Sequence, residues 1–406
     1  MVLSRRVPLG VSVFLGLGLL SRNISPVRDA VTEQFAAGYH LHFSWSYLVW
    51  APFCSLADLL TALSLRELLL FLGFVFAAIL VWPCRWGTKA LWFMGVLGFL
   101  AWGVLVPRPM ARLMSDDPDI VLIDFHSHTS FSHDGRHSFT PEANMHWHER
   151  QGFGAAFITD HNLSAGAERG KILSQTLWPH PLYSSLPGEE ISLFKTHLGV
   201  LGNTLPVNRD PYDSDAAKIP AFIELMHQSS FTVVAHLPEY WREHWKVGNT
   251  DFLSWDVDGF EIVNSVPYCL DFPIALRRQI IEHCRLKNLF VTGVSDNHGW
   301  GSATAVWSAM RIPGWQTLPP EALEKAVLAA LARDKFQAVR VLERMKYFPE
   351  NDWQFALSPL GNLWILSKTL GSRRALSCWV WIWVIYGMNS LLNRSPVRRR
   401  RERWIS

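Results

Sequence analysis

The chain has 406 residues, of which 49% are hydrophobic and only 18% charged, with a net charge of +3. An average soluble domain is about 25% charged, so part of this chain is expected to avoid water, and its 20 tryptophans agree because Trp favours the membrane–water interface. A small, scattered positive charge excludes nucleic acid as an expected partner, and five cysteines without CxxC spacing exclude a zinc–thiolate site or a disulfide framework.

Apolar residues gather at the two ends. Val7 to Leu20 follows Arg5 and Arg6 and reads either as a short span or as a cleaved signal peptide. Tyr47 to Leu63 contains Pro52 and Asp58, which suits an interfacial or re-entrant segment. Leu68 to Trp82, Leu91 to Val106 and Ala375 to Leu392 approach the roughly 20 residues needed to cross a bilayer. The expected organisation is a membrane region (1–114) with three or four transmembrane helices, a catalytic domain (115–346), a linker (347–374), a transmembrane helix (375–392) and a basic tail (393–406). Six arginines follow Leu392, so the tail is expected in the cytoplasm and the catalytic domain outside it, as in a bacterial inner-membrane protein.

Between the ends the pattern changes to short β-branched or aromatic runs: Ile120 to Asp124, Ala155 to Thr159, Thr232 to Ala235, Gly259 to Val263 and Leu289 to Val294. They read as buried parallel strands. Helices are expected over Pro141 to Gln151, Ala221 to Ser229, Ile274 to Lys287 and Pro320 to Met345. Strand–loop–helix repetition implies a parallel sheet or barrel, with chemistry on the loops after the strand C-terminal ends.

Those loops are rich in His, Asp and Glu. His126 and His128 end the first strand, Asp160 and His161 follow the second, and Glu189, Glu190 and His197 lie between the second and third. His236 ends the third strand, and Asp296 and His298 follow the last. Imidazoles and carboxylates converging without thiolates suit zinc, manganese or iron(II). In an extended chain residues two apart share a side, so His126 and His128 can reach one ion. On a helix that spacing fails, so His146 and His148 are expected to be structural.

The ordered series Asp124–Gly135 (DFHSHTSFSHDG), Ile158–Asn162, Pro187–Ser192 with Thr196–Gly199, Ala235–His236 and Val294–Gly299 resembles the motifs of the polymerase and histidinol phosphatase (PHP) family. The Glu189–Glu190 pair and Phe260–Ser265 resemble its carbaryl-hydrolase-like branch. The resemblance implies a distorted (β/α)7 barrel of PHP type, here flanked by transmembrane α-helices, with two or three divalent ions (Mn, Zn or Fe) at its mouth. Carried across by position, it implies that His126, His128, Glu190 and Asp296 hold one ion and that Glu190 bridges to a second with His197 and His236. Asp134, His161 and His298 would hold a third, with His133 a competing neighbour of Asp134. Glu190, Asp296 and His298 are the implied catalytic residues.

The expected function is a membrane-anchored, metal-dependent phosphoesterase using a metal-bridging hydroxide on a small, phosphorylated substrate, with the lipid bilayer as its other partner. A carbamate, ester or amide hydrolase on the same metals, and a non-catalytic membrane sensor, remain the alternatives. Arg136, Arg242 and Lys246 are candidate substrate contacts, and Tyr240, Trp241, Trp245 and Trp300 candidate pocket walls.

Overall fold

The computed structural model describes residues 6–20, 24–179, 183–236, 241, 251–300 and 303–394. Its strands are β1 (Val27–Asp29), β2 (Tyr39–His42), β3 (Arg112–Ser115), β4 (Ile120–Ser127), β5 (Ala155–Ile158), β6 (Ser184–Leu193), β7 (Thr196–Leu201), β8 (Thr232–Ala235), β9 (Gly259–Asn264), β10 (Phe290–Val294), β11 (Val306–Arg311) and β12 (Arg340–Arg344). The α-helices are α1 (Arg6–Leu20), α2 (Trp45–Val49), α3 (Ala51–Thr61), α4 (Leu65–Val81), α5 (Trp86–Leu105), α6 (Pro141–Gln151), α7 (Ala165–Leu177), α8 (Ile219–Gln228), α9 (Ile274–Lys287), α10 (Pro320–Asp334), α11 (Asp352–Ala356), α12 (Ser358–Thr369) and α13 (Gly371–Arg394).

Ten strands form one curled sheet in the order β1-β12-β11-β4-β5-β6-β7-β8-β9-β10. Parallel pairing holds for β4–β5–β6 and β8–β9–β10, whereas β7, β11, β12 and β1 are antiparallel to their neighbours. The sheet curls until β10 meets β11, where the Ser308 hydroxyl donates to Gly293 O and accepts from Gly293 N, both at 2.9 Å. Fully buried Ile123, Phe125, Phe157, Phe260 and Phe290 fill the core. This is a mixed α/β architecture of barrel type.

Local chemistry explains the best-expected elements. Helix α6 starts where the Thr140 hydroxyl accepts from Ala143 N, with Pro141 in the first turn, and ends at Gly152, whose φ of 99° suits glycine. Helix α4 opens with a reciprocal cap between Ser64 and Glu67.

The structure departs from these expectations at several points. The helix expected over Pro320 to Met345 stops at Asp334; Lys335 turns at φ 47°, and Val341 and Leu342 enter the sheet in β12. Its β-branched and alternating residues pack as a strand, overriding a helical reading of the charged ones. The expected count of membrane spans also falls. Among the described residues only α5, with 20 residues, is long and apolar enough to cross a bilayer by itself. Helices α1 and α4 have 15 and 17 residues, and at 1.5 Å per residue 17 residues reach only about 25 Å, against a hydrocarbon core of about 30 Å. Helix α13 contains the expected C-terminal segment, but the side chains of residues 389 and 392 lie outside the described set. Tyr47 to Leu63 folds as α2 and α3 against the domain, with Asp58 only 2% exposed and paired to Arg108. The segment expected as a linker carries α11 and α12.

Candidate metal centre

Strand β4 delivers the first donors. Its pairing with β5 shifts register between Asp124 and Ser127, which re-aims successive side chains. Asp124 turns to α6, where its Oδ2 lies 2.9 Å from His148 Nε2, and its Oδ1 accepts from Ser295 N at 3.0 Å. His126 and His128 turn inward with their Nε2 atoms 3.0 Å apart, both fully buried.

Glu190 is the hub. In the β6–β7 hairpin, alternation sends Glu190 to the cluster and Glu189 to the other face, where Asn203 Nδ2 donates to it at 2.9 Å. Glu190 Oε1 lies 2.8 Å from His197 Nδ1 and 3.0 Å from His236 Nδ1. Its Oε2 lies 3.1 Å from His126 Nε2, 3.2 Å from His128 Nε2 and 3.2 Å from His161 Nδ1. Asp296 Oδ1 is 3.4 Å from His126 Nε2 and 3.1 Å from His128 Nε2. Toward solvent, Asp134 Oδ2 sits 3.4 Å from His161 Nε2 and 3.1 Å from His298 Nε2.

The nine residues named from the sequence therefore meet in one place, in four overlapping groups whose donor atoms lie within 4.8 Å of one another. His133 stays exposed, its ring 5.0 Å from that of His161, and Asp134 occupies the position facing His161 and His298. His146 is 60% exposed on α6, far from such company, while His148 is a buried partner of Asp124. Tyr240, Arg242, Trp245 and Lys246 lie outside the described residues. Trp241 approaches Phe272, with centroids 6.2 Å apart.

Electrostatics sharpen the picture. Burial opposes protonation of His126 and His128, yet the adjoining Glu190 and Asp296 push His126 well above the usual imidazole range and His128 up to about 10. Burial likewise opposes ionisation of Glu190, Asp296 and Asp134, but the surrounding imidazoles hold all three carboxyls below their ordinary values. A field that stabilises imidazolium this strongly is one that attracts a cation.

The donors fit divalent metal ions. They are nitrogen and oxygen only, as zinc, manganese or iron(II) would take. His161 Nδ1, His298 Nε2 and Asp296 Oδ1 are buried, face the opposing groups at the distances above, and have no hydrogen-bond partner. Atoms that converge closely without hydrogen-bond geometry are placed as ligands are. The opposite ring atoms are fixed as well: His298 Nδ1 lies 2.9 Å from Asp296 O, and His126 Nδ1 lies 3.1 Å from Glu261 Oε2. Such bonds set the tautomer that presents the other nitrogen.

Sequence reasoning missed Glu261 and Asn264. Asn264 Nδ2 donates to Glu261 Oε1 at 2.9 Å and to Asp296 Oδ2 at 3.0 Å, tying His126 and Asp296 into one frame. A carboxylate inside the otherwise apolar run Gly259–Val263 was the available signal. Gly199 is also demanded: a Cβ there would stand 2.5 Å from His236 Nε2.

A cavity of about 270 Å³ opens beside the cluster, lined by Asp134, Asp296, His298, Tyr268, Pro267 and Trp300 among others. Arg136 stands at its rim, its guanidinium 5.5 Å above the Trp300 ring.

No protein-family model matches the chain, and no curated protein matches it in sequence. Solved structures similar to it include a protein from Bifidobacterium adolescentis described as a metal-dependent phosphoesterase (16% identity, 45% of this chain and 89% of that one, TM-score 0.33). PsfC from Pseudomonas syringae is similar at 18% identity, over 61% and 98% of the two chains, with a TM-score of 0.36. An amidohydrolase from Chromobacterium violaceum, with bound sulfate and no metal, is similar at 14% identity over 50% and 96%, with a TM-score of 0.33.

Proposed function

We propose that this protein is a metal-dependent phosphoesterase of PHP type, attached to a membrane. The observation that carries the reading is the donor set. Glu190 joins His126 and His236 in one group and His161 and His197 in another, His126 and His128 meet Asp296, and Asp134 with His128, His161 and His298 lies at the cavity; the family resemblance divides these donors among three ions. Divalent ions held there would acidify a water near neutral pH and neutralise charge developing on the substrate's oxygens. A phosphoester, with several anionic oxygens, is the substrate that uses three cationic positions.

The chain's own residues supply placement. Glu190 offers an oxygen to each side of the cluster, so it holds the two inner groups in fixed relation. Asp296, at a left-handed φ of 48°, directs Oδ1 inward while Asn264 holds Oδ2. His298 reaches the cavity wall with Nε2 beside Asp134.

Membrane attachment rests on exposed apolar side chains. Leu9, Val13 and Leu17 of α1, Leu69 and Phe74 of α4, Leu91, Trp92 and Met94 of α5, and Leu376, Val380 and Ile385 of α13 are all exposed. Large apolar side chains exposed in this number along four helices support an interaction site or a lipid contact.

The test is elemental analysis of the purified full-length protein, with hydrolysis assays on p-nitrophenyl phosphate, a phosphodiester and an aryl carbamate. Bound divalent metal with phosphoester turnover is expected. Turnover of the carbamate alone, or tight metal binding with no turnover of any substrate, overturns the phosphoesterase reading.

A further inference from the structure

The cavity beside the metal donors is built into the junction between the catalytic domain and the apolar helices. Arg136, which covers Trp300, reaches Leu105 O at the end of α5, at 3.4 Å. On the cavity lining, Pro267 O accepts from Leu65 N at the start of α4, at 2.8 Å. The α4–α5 hairpin thus leaves the domain and returns to it at the rim of this one cavity. Tyr268 and Trp300 are 39% and 47% exposed there, and Leu65, Leu105 and Val106, at the hairpin's two junctions with the domain, are exposed as well. The floor is the opposite in character, formed by Asp134, Asp296 and His298.

We infer that the substrate is a membrane-borne phosphate ester of a long-chain alcohol. Its headgroup would enter at Asp134 and His298, and its chain would lie along Tyr268 and Trp300 toward the hairpin. This inference rests on the phosphoesterase reading. Aromatic rings with an apolar body and a polar edge suit that boundary. In the reaction, water oxygen forms a bond to phosphorus, the ester P–O bond breaks, and the water proton passes to the departing alkoxide. The alcohol stays in the bilayer and inorganic phosphate leaves to water.

The experiment uses the full-length, metal-loaded protein in phosphatidylcholine vesicles with butyl, octyl and dodecyl phosphate. Each methylene moved out of water in the transition state is worth about fourfold, so kcat/KM is expected to rise at least about tenfold from butyl to dodecyl phosphate. Trp300→Ala and Tyr268→Ala, both at partly exposed positions, are each expected to compress that ratio. Butyl phosphate turnover with no dependence on chain length, or an unchanged ratio in both variants, overturns the inference and leaves the phosphoesterase reading standing. If metal-loaded protein hydrolyses neither p-nitrophenyl phosphate nor any alkyl phosphate, the underlying reading fails and takes the inference with it.

Discussion

Two adjacent glutamates on β6 have opposite fates. Glu190→Gln should lower hydrolysis by at least about a hundredfold and reduce bound metal without unfolding the domain, because even partners outside the ligand set cost about 10–100-fold when changed. His146→Ala, on an exposed helical face, should leave both quantities unchanged; equal losses in the two variants would refute the separation of ligand from bystander. Glu189 faces away from the cluster, and burial pushes its carboxyl from 4.5 up to about 7. The folded state therefore keeps a proton that the unfolded state has released, so this contribution to stability is full below pH 4.5 and is lost as pH rises to about 7. Glu189→Gln should accordingly melt higher than the parent at pH 8 and show a smaller advantage at pH 5, which thermal unfolding at the two values would check. His126, His128, His161, His236, Asp296 and His298 were legible because each follows closely on a short apolar run, whereas Asp134, Glu190 and His197 were reached through the resemblance of their motifs. Glu261 and Asn264 were not legible, since a carboxylate inside a buried strand carries no mark of the His126 ring it will face.

Among the elements, β4, β5, β8, β9, β10 and helices α6, α8 and α9 were readable from periodicity and caps to within two or three residues. Strands β6, β7, β11 and β12 were not, because pairing across the sheet, rather than local propensity, makes them extended. The close approach of β7 to β8 has a measurable result: Gly199→Ala should displace His236 and lower metal content and activity, while the melting temperature falls only slightly. Helix α3 differs for another reason: Asp58, which suited an interfacial or re-entrant segment, is instead neutralised inside the protein. Asp58 there is buried with Arg108, accepts from Tyr47 Oη at 3.1 Å, and lies 3.6 Å from Arg344 of β12. Asp58→Asn leaves buried guanidinium without its counterion, a change that costs about 3–5 kcal/mol. Chemical denaturation should show a loss of that order; a loss below 1 kcal/mol would mean that the pair is solvated.

For the molecule as a whole, chelation should abolish activity and added manganese, zinc or iron(II) should restore it; undiminished turnover in protein shown to be metal-free would end the metallohydrolase reading. Arg85 precedes α5 and Lys89 lies in its first turn, at the end away from the domain; on the proposed membrane attachment, the preference of such charges for the cytoplasm would put the metal centre on the opposite side. A reporter fused after Ser406 and active only outside the cytoplasm would reverse this orientation.

The contact of Asp58 with Arg108 and Arg344 joins the helical layer to the barrel through groups that are almost completely buried. A domain clamped in this way cannot swing out on a tether to sample the bulk solution. Under the proposed membrane attachment and membrane-borne substrate, its encounters would be two-dimensional: turnover should follow the mole fraction of substrate in the surface, and diluting that surface with inert lipid should slow the protein even when the total amount of substrate in the tube is unchanged.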